Sequence, residues 1–174
     1  MTVKEMMGKA MAALDEAEKS PLWENIEDYK GKIYAVMDSV QRELATSWAP
    51  IEKSCVLQIA GGTAKLPADV YRVSYISDED AWVYGREVFG EDGRVALRYE
   101  AYPTVIDSTK GDEKLEIPEE AQEAMVYGVC AGLCVNDEPE MYQMYLERYT
   151  GMLNTLRSRQ QERPVCRVTG GVDF

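Results

Sequence analysis

The spacing of apolar residues changes twice along this chain of 174 residues. Residues 3–46 and 118–157 repeat apolar side chains at the steps of three and four that amphipathic helices require. Residues 51–103 instead form short runs rich in Val, Ile, Tyr and Trp. The predicted fold is therefore α+β and mostly α. Two N-terminal and two C-terminal helices form a bundle, and a small antiparallel β block is inserted between them.

Local signals place the ends of the first two helices. Thr2 followed by Glu5 is a capping-box pattern, which predicts a helix at about 3–18. Ser20-Pro21 predicts an N-cap followed by proline in the first helical position, so the second helix should run over about 20–46.

Two further helices are predicted after a polar loop. Pro118 and the acidic residues after it favour a helix start, so the third helix is expected at about 118–135. Asp137 opens the fourth, at about 138–157. A stripe of small residues on the third helix predicts that another helix approaches closely. Its members are Ala121, Ala124, Met125, Gly128 and Gly132.

The β block contains two predicted turns and one strongly alternating strand. Gly61-Gly62 predicts a turn between strands, and Glu91-Asp92-Gly93 predicts a hairpin loop with its glycine in the left-handed conformation. The strand after that loop alternates apolar and charged residues, which predicts one buried and one exposed face. The buried face is Val95, Leu97, Tyr99 and Ala101; Arg94, Arg98 and Glu100 are expected to face solvent or a neighbouring subunit.

Composition restricts the chemistry that we expect. The chain has no histidine, so Ser-His-Asp and Cys-His arrangements are excluded. Its net charge of −12 argues against nucleic-acid binding by phosphate neutralisation. No apolar run approaches the roughly 20 residues that span a membrane. The cysteines (Cys55, Cys130, Cys134 and Cys166) lack metal-ligand spacing, and we expect reduced thiols, with Cys130 and Cys134 buried. We predict no catalytic residue, cofactor or metal site.

Two alternative functions remain open from the residues alone. The 31 Asp and Glu residues allow a small carboxylate-dependent hydrolase, although nothing in the sequence singles out an acid and a nucleophile. Eleven Tyr and three Trp against two Phe favour a cytoplasmic protein-binding module with a tyrosine-rich interface. Tyr29, Tyr145 and Tyr149 are expected in the core. Ser77–Asp80 is predicted to be a solvated turn rather than a cation site.

The end of the chain differs from the rest in pattern and charge. Residues 158–174 lack a helical period and contain Pro164 and Gly170-Gly171, which predicts an extended arm beyond a single domain at 1–157. From residue 157 onward, four arginines stand against one glutamate and one aspartate. A mildly basic arm on an acidic body indicates two surfaces with different partners.

Several motifs in this order resemble the head-to-tail connector adaptor proteins of tailed bacteriophages and gene transfer agents. The motifs are the Leu66-Pro67 turn, the aromatic-rich run from Tyr84 to Phe89, the strand from Val95 to Pro103, and the helix start from Ile117-Pro118 to Tyr127. Ile117 stands where the family often has Leu. No single motif is specific, and the resemblance rests on their order and spacing between about Val3 and Leu156.

The resemblance implies a structural virion protein of the neck, assembled in the host cytoplasm, and not an enzyme. Such adaptors form a ring, usually of twelve copies, beneath the portal protein. They extend the DNA channel without sequence-specific DNA binding, and they dock the next neck or tail component. The arm is then expected to dock on the portal, through Arg159, Arg163, Pro164, Val165, Cys166, Arg167 and Val168. Arg94, Arg98 and Glu100 become candidate subunit contacts.

Overall fold

A computed structural model describes residues 1–16, 26–136 and 138–162, with side chains described for 1–14, 32–136 and 138–158. The fold is α+β and mostly α, as predicted. The helices are α1 (Val3–Glu16), α2 (Ile26–Ser47), α3 (Glu119–Cys134) and α4 (Pro139–Glu162). The strands are β1 (Ile51–Ile59), β2 (Thr63–Lys65), β3 (Val70–Ile76), β4 (Trp82–Tyr84), β5 (Glu87–Phe89) and β6 (Gly93–Ala101).

The predicted capping box at the start of α1 is confirmed. The Thr2 backbone N–H donates to Glu5 Oε2 at 2.8 Å, and the Glu5 N–H donates to Thr2 Oγ1 at 3.2 Å. Two N–H groups that the first helical turn cannot satisfy internally are thereby paired. At the start of α3, Pro118 is the N-cap and Glu119 the first helical residue, one position later than predicted. The predicted starts at Ser20-Pro21 and Asp137 lie outside the described residues.

The predicted boundary between the last helix and the arm was wrong. Helix α4 continues to Glu162, so the first five residues of the predicted arm are helical. These residues are mostly long and polar, with good helix propensity but no apolar side chain to mark a period. The remainder, residues 163–174 (called the C-terminal segment below), lies outside the described residues.

Helix α3 is the centre of the bundle and contacts α1, α2 and α4. The predicted close approach is confirmed at two glycines: a Cβ at Gly128 would lie 2.8 Å from Val40, and one at Gly132 would lie 2.6 Å from Val36. Cys130 is fully buried, its thiol donates to the Ala10 carbonyl at 3.4 Å, and burial raises its pKa to about 12.

The other core predictions for this region are also confirmed. Cys134, Tyr145 and Tyr149 are buried. The Tyr145 hydroxyl donates to the Ala13 carbonyl at 2.6 Å, which ties α4 to α1. The side chain of Tyr29 lies outside the described residues.

The strands form two three-stranded antiparallel sheets, with orders β1-β6-β3 and β2-β5-β4. In the first sheet, β1 and β6 pair over nine residues, from Ile51 opposite Ala101 to Ile59 opposite Gly93. The predicted alternation of β6 is confirmed, because Val95, Leu97, Tyr99 and Ala101 are all buried. This apolar face joins the helical core, so the opposite face of the sheet points away from the bundle.

The predicted hairpin at Glu91-Asp92-Gly93 was wrong. Strands β5 and β6 belong to different sheets, and Gly93 is the first residue of β6, without a positive φ. The Asp92 carboxylate instead accepts a hydrogen bond from the Gly62 N–H at 2.8 Å, which lowers the Asp92 pKa. The connection therefore fastens one sheet to the turn of the other.

The left-handed glycines form two other tight turns. Gly61 and Gly62, with φ of 65° and 82°, form the predicted turn between β1 and β2. Gly85, with φ of 62°, separates β4 from β5, so these two short strands pair with each other.

Candidate interaction surface

The outer sheet face is the exposed side of the β1-β6-β3 sheet, and its central residues are Val56, Tyr75, Arg94 and Arg98. The strand register places Ser54 and Tyr75 on either side of Arg98. Val56 is 65% exposed and Tyr75 51% exposed, and both arginines are exposed. Large apolar side chains and arginines therefore share one accessible surface.

The two arginines of this face are free to meet a partner. The Arg98 guanidinium lies 5.7 Å from the centre of the Tyr75 ring, a cation–π arrangement that orients both side chains. Neither Arg94 nor Arg98 forms an ion pair with any residue that the structure describes. Tyrosine and arginine are enriched at the energetic centres of protein interfaces. The face thus has the composition of a protein-binding surface.

Glu100 has a different role from the two arginines. One of its oxygens accepts a hydrogen bond from Arg72 Nη2 at 2.7 Å, and its side chain is only 13% exposed. Glu52 lies directly opposite it on β1, so Arg72 compensates a like-charge pair across the sheet. Glu100 therefore orients β3 against β6 and offers little surface of its own.

A second exposed surface lies on β4 and was missed by sequence reasoning. Trp82, Val83 and Tyr84 (the aromatic edge) are 59%, 36% and 79% exposed. The Trp82 ring stacks on Phe89, with ring centres 5.7 Å apart. In the sequence these residues looked like an ordinary apolar strand. The available signal was Gly85, which turns β4 back onto β5 at the end of its sheet.

A cluster of titratable groups lies on the inner side of the first sheet. Lys53 Nζ donates to Asp69 Oδ2 at 2.9 Å and lies 3.9 Å from Glu116 Oε1. The Tyr99 hydroxyl donates to the other Asp69 oxygen at 3.3 Å. The hydrogen bond to Asp69 raises the Lys53 pKa despite partial burial. A lysine nucleophile or base requires a lowered pKa, so this cluster is suited to holding β1, β6 and the flanking loops together.

This cluster predicts a pH-dependent contribution to stability. Burial acts to raise the Asp69 pKa, but the hydrogen bond and charge of Lys53 outweigh it and lower the pKa below 3.8. Its stabilisation is thus present above about pH 4 and is lost as the pH falls through the folded pKa. Asp69→Asn should lower the free energy of unfolding by up to about 1 kcal/mol at pH 7, since the pair is partly exposed.

The measurement is urea denaturation of Asp69→Asn and the unchanged protein between pH 7 and pH 2. The difference between them should shrink on acidification. Asp112→Asn is the matched control, because Asp112 is exposed and forms no ion pair among the described residues. A pH-independent difference for Asp69→Asn would contradict this account.

The side chains predicted to dock on the portal lie outside the described residues. Arg159 belongs to α4, but its side chain is not described, and Arg163 to Val168 fall in the C-terminal segment. Their contact with a portal stays a prediction.

The Ser77–Asp80 stretch is an exposed turn, in which the Asp80 N–H donates to Asp78 Oδ1 at 3.0 Å.

Within the described residues there is neither a metal-binding cluster nor a membrane-spanning helix. No group of three His, Cys, Asp or Glu side chains is arranged to hold a metal ion within the ranges described. No helix in those ranges is long and apolar enough to cross a membrane.

Comparison with known proteins provides no assignment. No protein-family model matches the chain, and no curated protein matches its sequence.

Proposed function

We propose that this chain is a structural adaptor of the neck of a tailed bacteriophage or gene transfer agent. Copies of it, by family resemblance twelve, form a ring beneath the portal protein. The ring extends the DNA channel and docks the next neck or tail component. In this proposal the protein performs no catalysis, and DNA passes through without base-specific contacts.

The observation that carries the proposal is the presence of two different exposed surfaces on one small β block. The outer sheet face presents arginines with Val56 and Tyr75, whereas the aromatic edge presents Trp82 and Tyr84. A closed ring requires a head-to-tail interface, in which each subunit offers two dissimilar patches. The buried helical core gives these patches a rigid support. The motif order described above points to the same class of protein.

The acidic character of the chain suits a channel for DNA. Phosphates would be repelled by an acidic wall, so DNA would slide rather than adhere. This part of the proposal would be contradicted by a ring whose channel wall is neutral or basic.

The direct test mixes the purified protein with portal-bearing, DNA-filled heads at near-physiological salt. Electron microscopy should show a ring of added density at the portal vertex. A monomeric state in free solution would not contradict the proposal, because the portal can supply a template on which weak contacts add up. Absence of binding to the heads would contradict the proposal.

Arg98→Glu tests the outer sheet face as a subunit contact. We expect a folded protein, with a change in unfolding free energy within about 1 kcal/mol, since Arg98 is exposed. Ring formation on heads should be reduced at least about tenfold. The reason is that the new carboxylate would repel the acidic side chains that an arginine-bearing interface is expected to face. Lys114→Glu, which changes an exposed basic residue outside the β block, is the matched control. Normal rings from Arg98→Glu would place it outside the interface.

A monomeric protein-binding module is the second candidate, favoured by the exposure of Trp82 and Tyr84. Isolated exposed aromatics on a strand edge suit recognition of an extended peptide as well as ring contacts. The two candidates differ in the head-binding experiment, since only the adaptor forms a ring at the portal vertex.

A further inference from the structure

We infer that the aromatic edge of one copy binds the C-terminal segment of a second copy, with Arg163 to Val168 adding a strand alongside β4. This inference rests on the proposed ring, because it specifies one of the contacts that join neighbouring subunits. It also gives the C-terminal segment a partner within the assembly instead of the portal.

The acceptor is an open strand edge with an unusual surface. Within the described residues β4 pairs only with β5, so the backbone groups of its other edge have no strand partner. Exposed edge strands are normally protected by charged side chains or proline. Here Trp82 and Tyr84 are among the most exposed aromatic residues, at 59% and 79%. The backbone groups of such an edge can pair with an added strand, and the aromatic side chains supply contact area.

The charge around the acceptor specifies a basic ligand. Asp78, Glu79 and Asp80 lie in the turn before β4, where Glu79 and Asp80 are exposed. Glu87 stands opposite Tyr84 in the register, with Lys65 on its other side. None of these four carboxylates forms an ion pair with a described residue. An extended segment that carries arginines would meet both the acidic turn and the aromatic faces.

The C-terminal segment has this chemistry. In an extended conformation Arg163, Val165 and Arg167 lie on one side, and Pro164, Cys166 and Val168 lie on the other. Guanidinium groups stack favourably on Trp and Tyr rings. Proline near the start of an added edge strand is tolerated, because its missing N–H can face away from the ladder.

The length of chain beyond α4 allows exchange between copies. Twelve residues follow Glu162, enough to reach about 40 Å when extended. A segment donated from one copy to the next is a head-to-tail contact, which closes a ring when repeated. The same segment folded back on its own β4 would make no ring, so the experiment must separate these two cases.

The binding experiment uses a labelled synthetic peptide of residues 163–174 as the probe. The acceptor is the full-length chain carrying Val165→Glu and Arg167→Glu, which disable its own segment. Fluorescence polarisation should show saturable binding. Adding Trp82→Ala and Tyr84→Ala should weaken it at least about tenfold, through the lost cation–π and apolar contacts. Val105→Ala with Val135→Ala, two exposed apolar residues outside the β block, should leave it unchanged.

A second variant keeps the aromatic edge and tests the charge. Glu79→Lys with Asp80→Lys should weaken binding of the natural peptide. The same variant should bind a peptide carrying Arg163→Glu and Arg167→Glu better than the unchanged edge does. Absence of peptide binding, or binding unaffected by both sets of edge variants, would overturn the inference.

Mixing two full-length variants tests exchange between copies. The edge variant (Trp82→Ala, Tyr84→Ala) can donate a segment, and the segment variant (Val165→Glu, Arg167→Glu) can accept one. Sedimentation should show a one-to-one heterodimer in the mixture and monomers of each alone. Peptide binding without a heterodimer would mean that a segment attached to α4 cannot reach the β4 edge of another copy, which contradicts exchange.

Binding to portal-bearing heads separates this inference from the proposed function. Loss of head binding by the segment variant, with no peptide binding at β4, would assign the segment to the portal. The adaptor proposal would then stand and the inference would fall. If the unchanged protein does not bind the heads but the peptide binds at β4, the adaptor proposal would fall and binding of the C-terminal segment at β4 would stand.

Discussion

Gly128→Ala is expected to lower the free energy of unfolding by about 1–3 kcal/mol, even though alanine has the higher helix propensity. The new Cβ would lie 2.8 Å from Val40 Cγ1 and 3.0 Å from Tyr149 Cε2, so it would be compressed between α2 and α4. Neither partner yields easily, because valine is stiff in a helix and Tyr149 is buried. Urea denaturation followed by circular dichroism measures the loss.

Gly151→Ala on α4 is the matched control. A Cβ there would meet nothing within 4 Å, so only helix propensity acts and stability should rise by up to about 1 kcal/mol. Gly132→Ala should behave like Gly128→Ala, and adding Val36→Ala should recover part of its loss, since the 2.6 Å contact is with Val36 Cγ1. A Gly128→Ala protein as stable as the unchanged one would show that the helices separate without cost.

Leu97→Ala is expected to destabilise the protein by about 2–5 kcal/mol. Leu97 is 1% exposed at the middle of β6, the central strand of its sheet, and it packs in the same core as the helices. Removing its side chain leaves a cavity that neighbouring strands cannot easily fill. Thermal and urea unfolding should both move to milder conditions.

Arg98→Ala, one residue along the same strand, is the control for this experiment. Its side chain points to the opposite face and is exposed, so the expected change is within about 0.5 kcal/mol. Similar losses at both positions would contradict the separation of the β6 faces.

For the β6 strand, the sequence predicted the buried face but not the strand pairing around it. Alternation predicted its buried face correctly, because the side-chain period of a strand is two wherever the strand pairs. The hairpin that was expected to precede it does not form. Turn residues indicate where the chain turns but not which strands pair, and here Asp92 bonds to Gly62 in the turn of the other sheet.

The candidate surface was predicted only in part. Arg94 and Arg98 were identified, because charged residues on an alternating strand must lie on its exposed face. The aromatic edge was not, since an apolar run predicts a strand but not whether that strand is covered. Exposure of Trp82 and Tyr84 depends on whether another part of the chain covers β4, which is a property of the tertiary arrangement.

The sequence by itself determined the α+β class, the capping of α1, the small-residue contact on α3 and the buried face of β6. All four follow from local periodicity and residue size. Tertiary structure alone decided the division into two sheets, the pairing of Glu100 with Arg72, and the exposure of Trp82 and Tyr84. These depend on which distant segments meet, and the free energy of such contacts is absent from any local pattern.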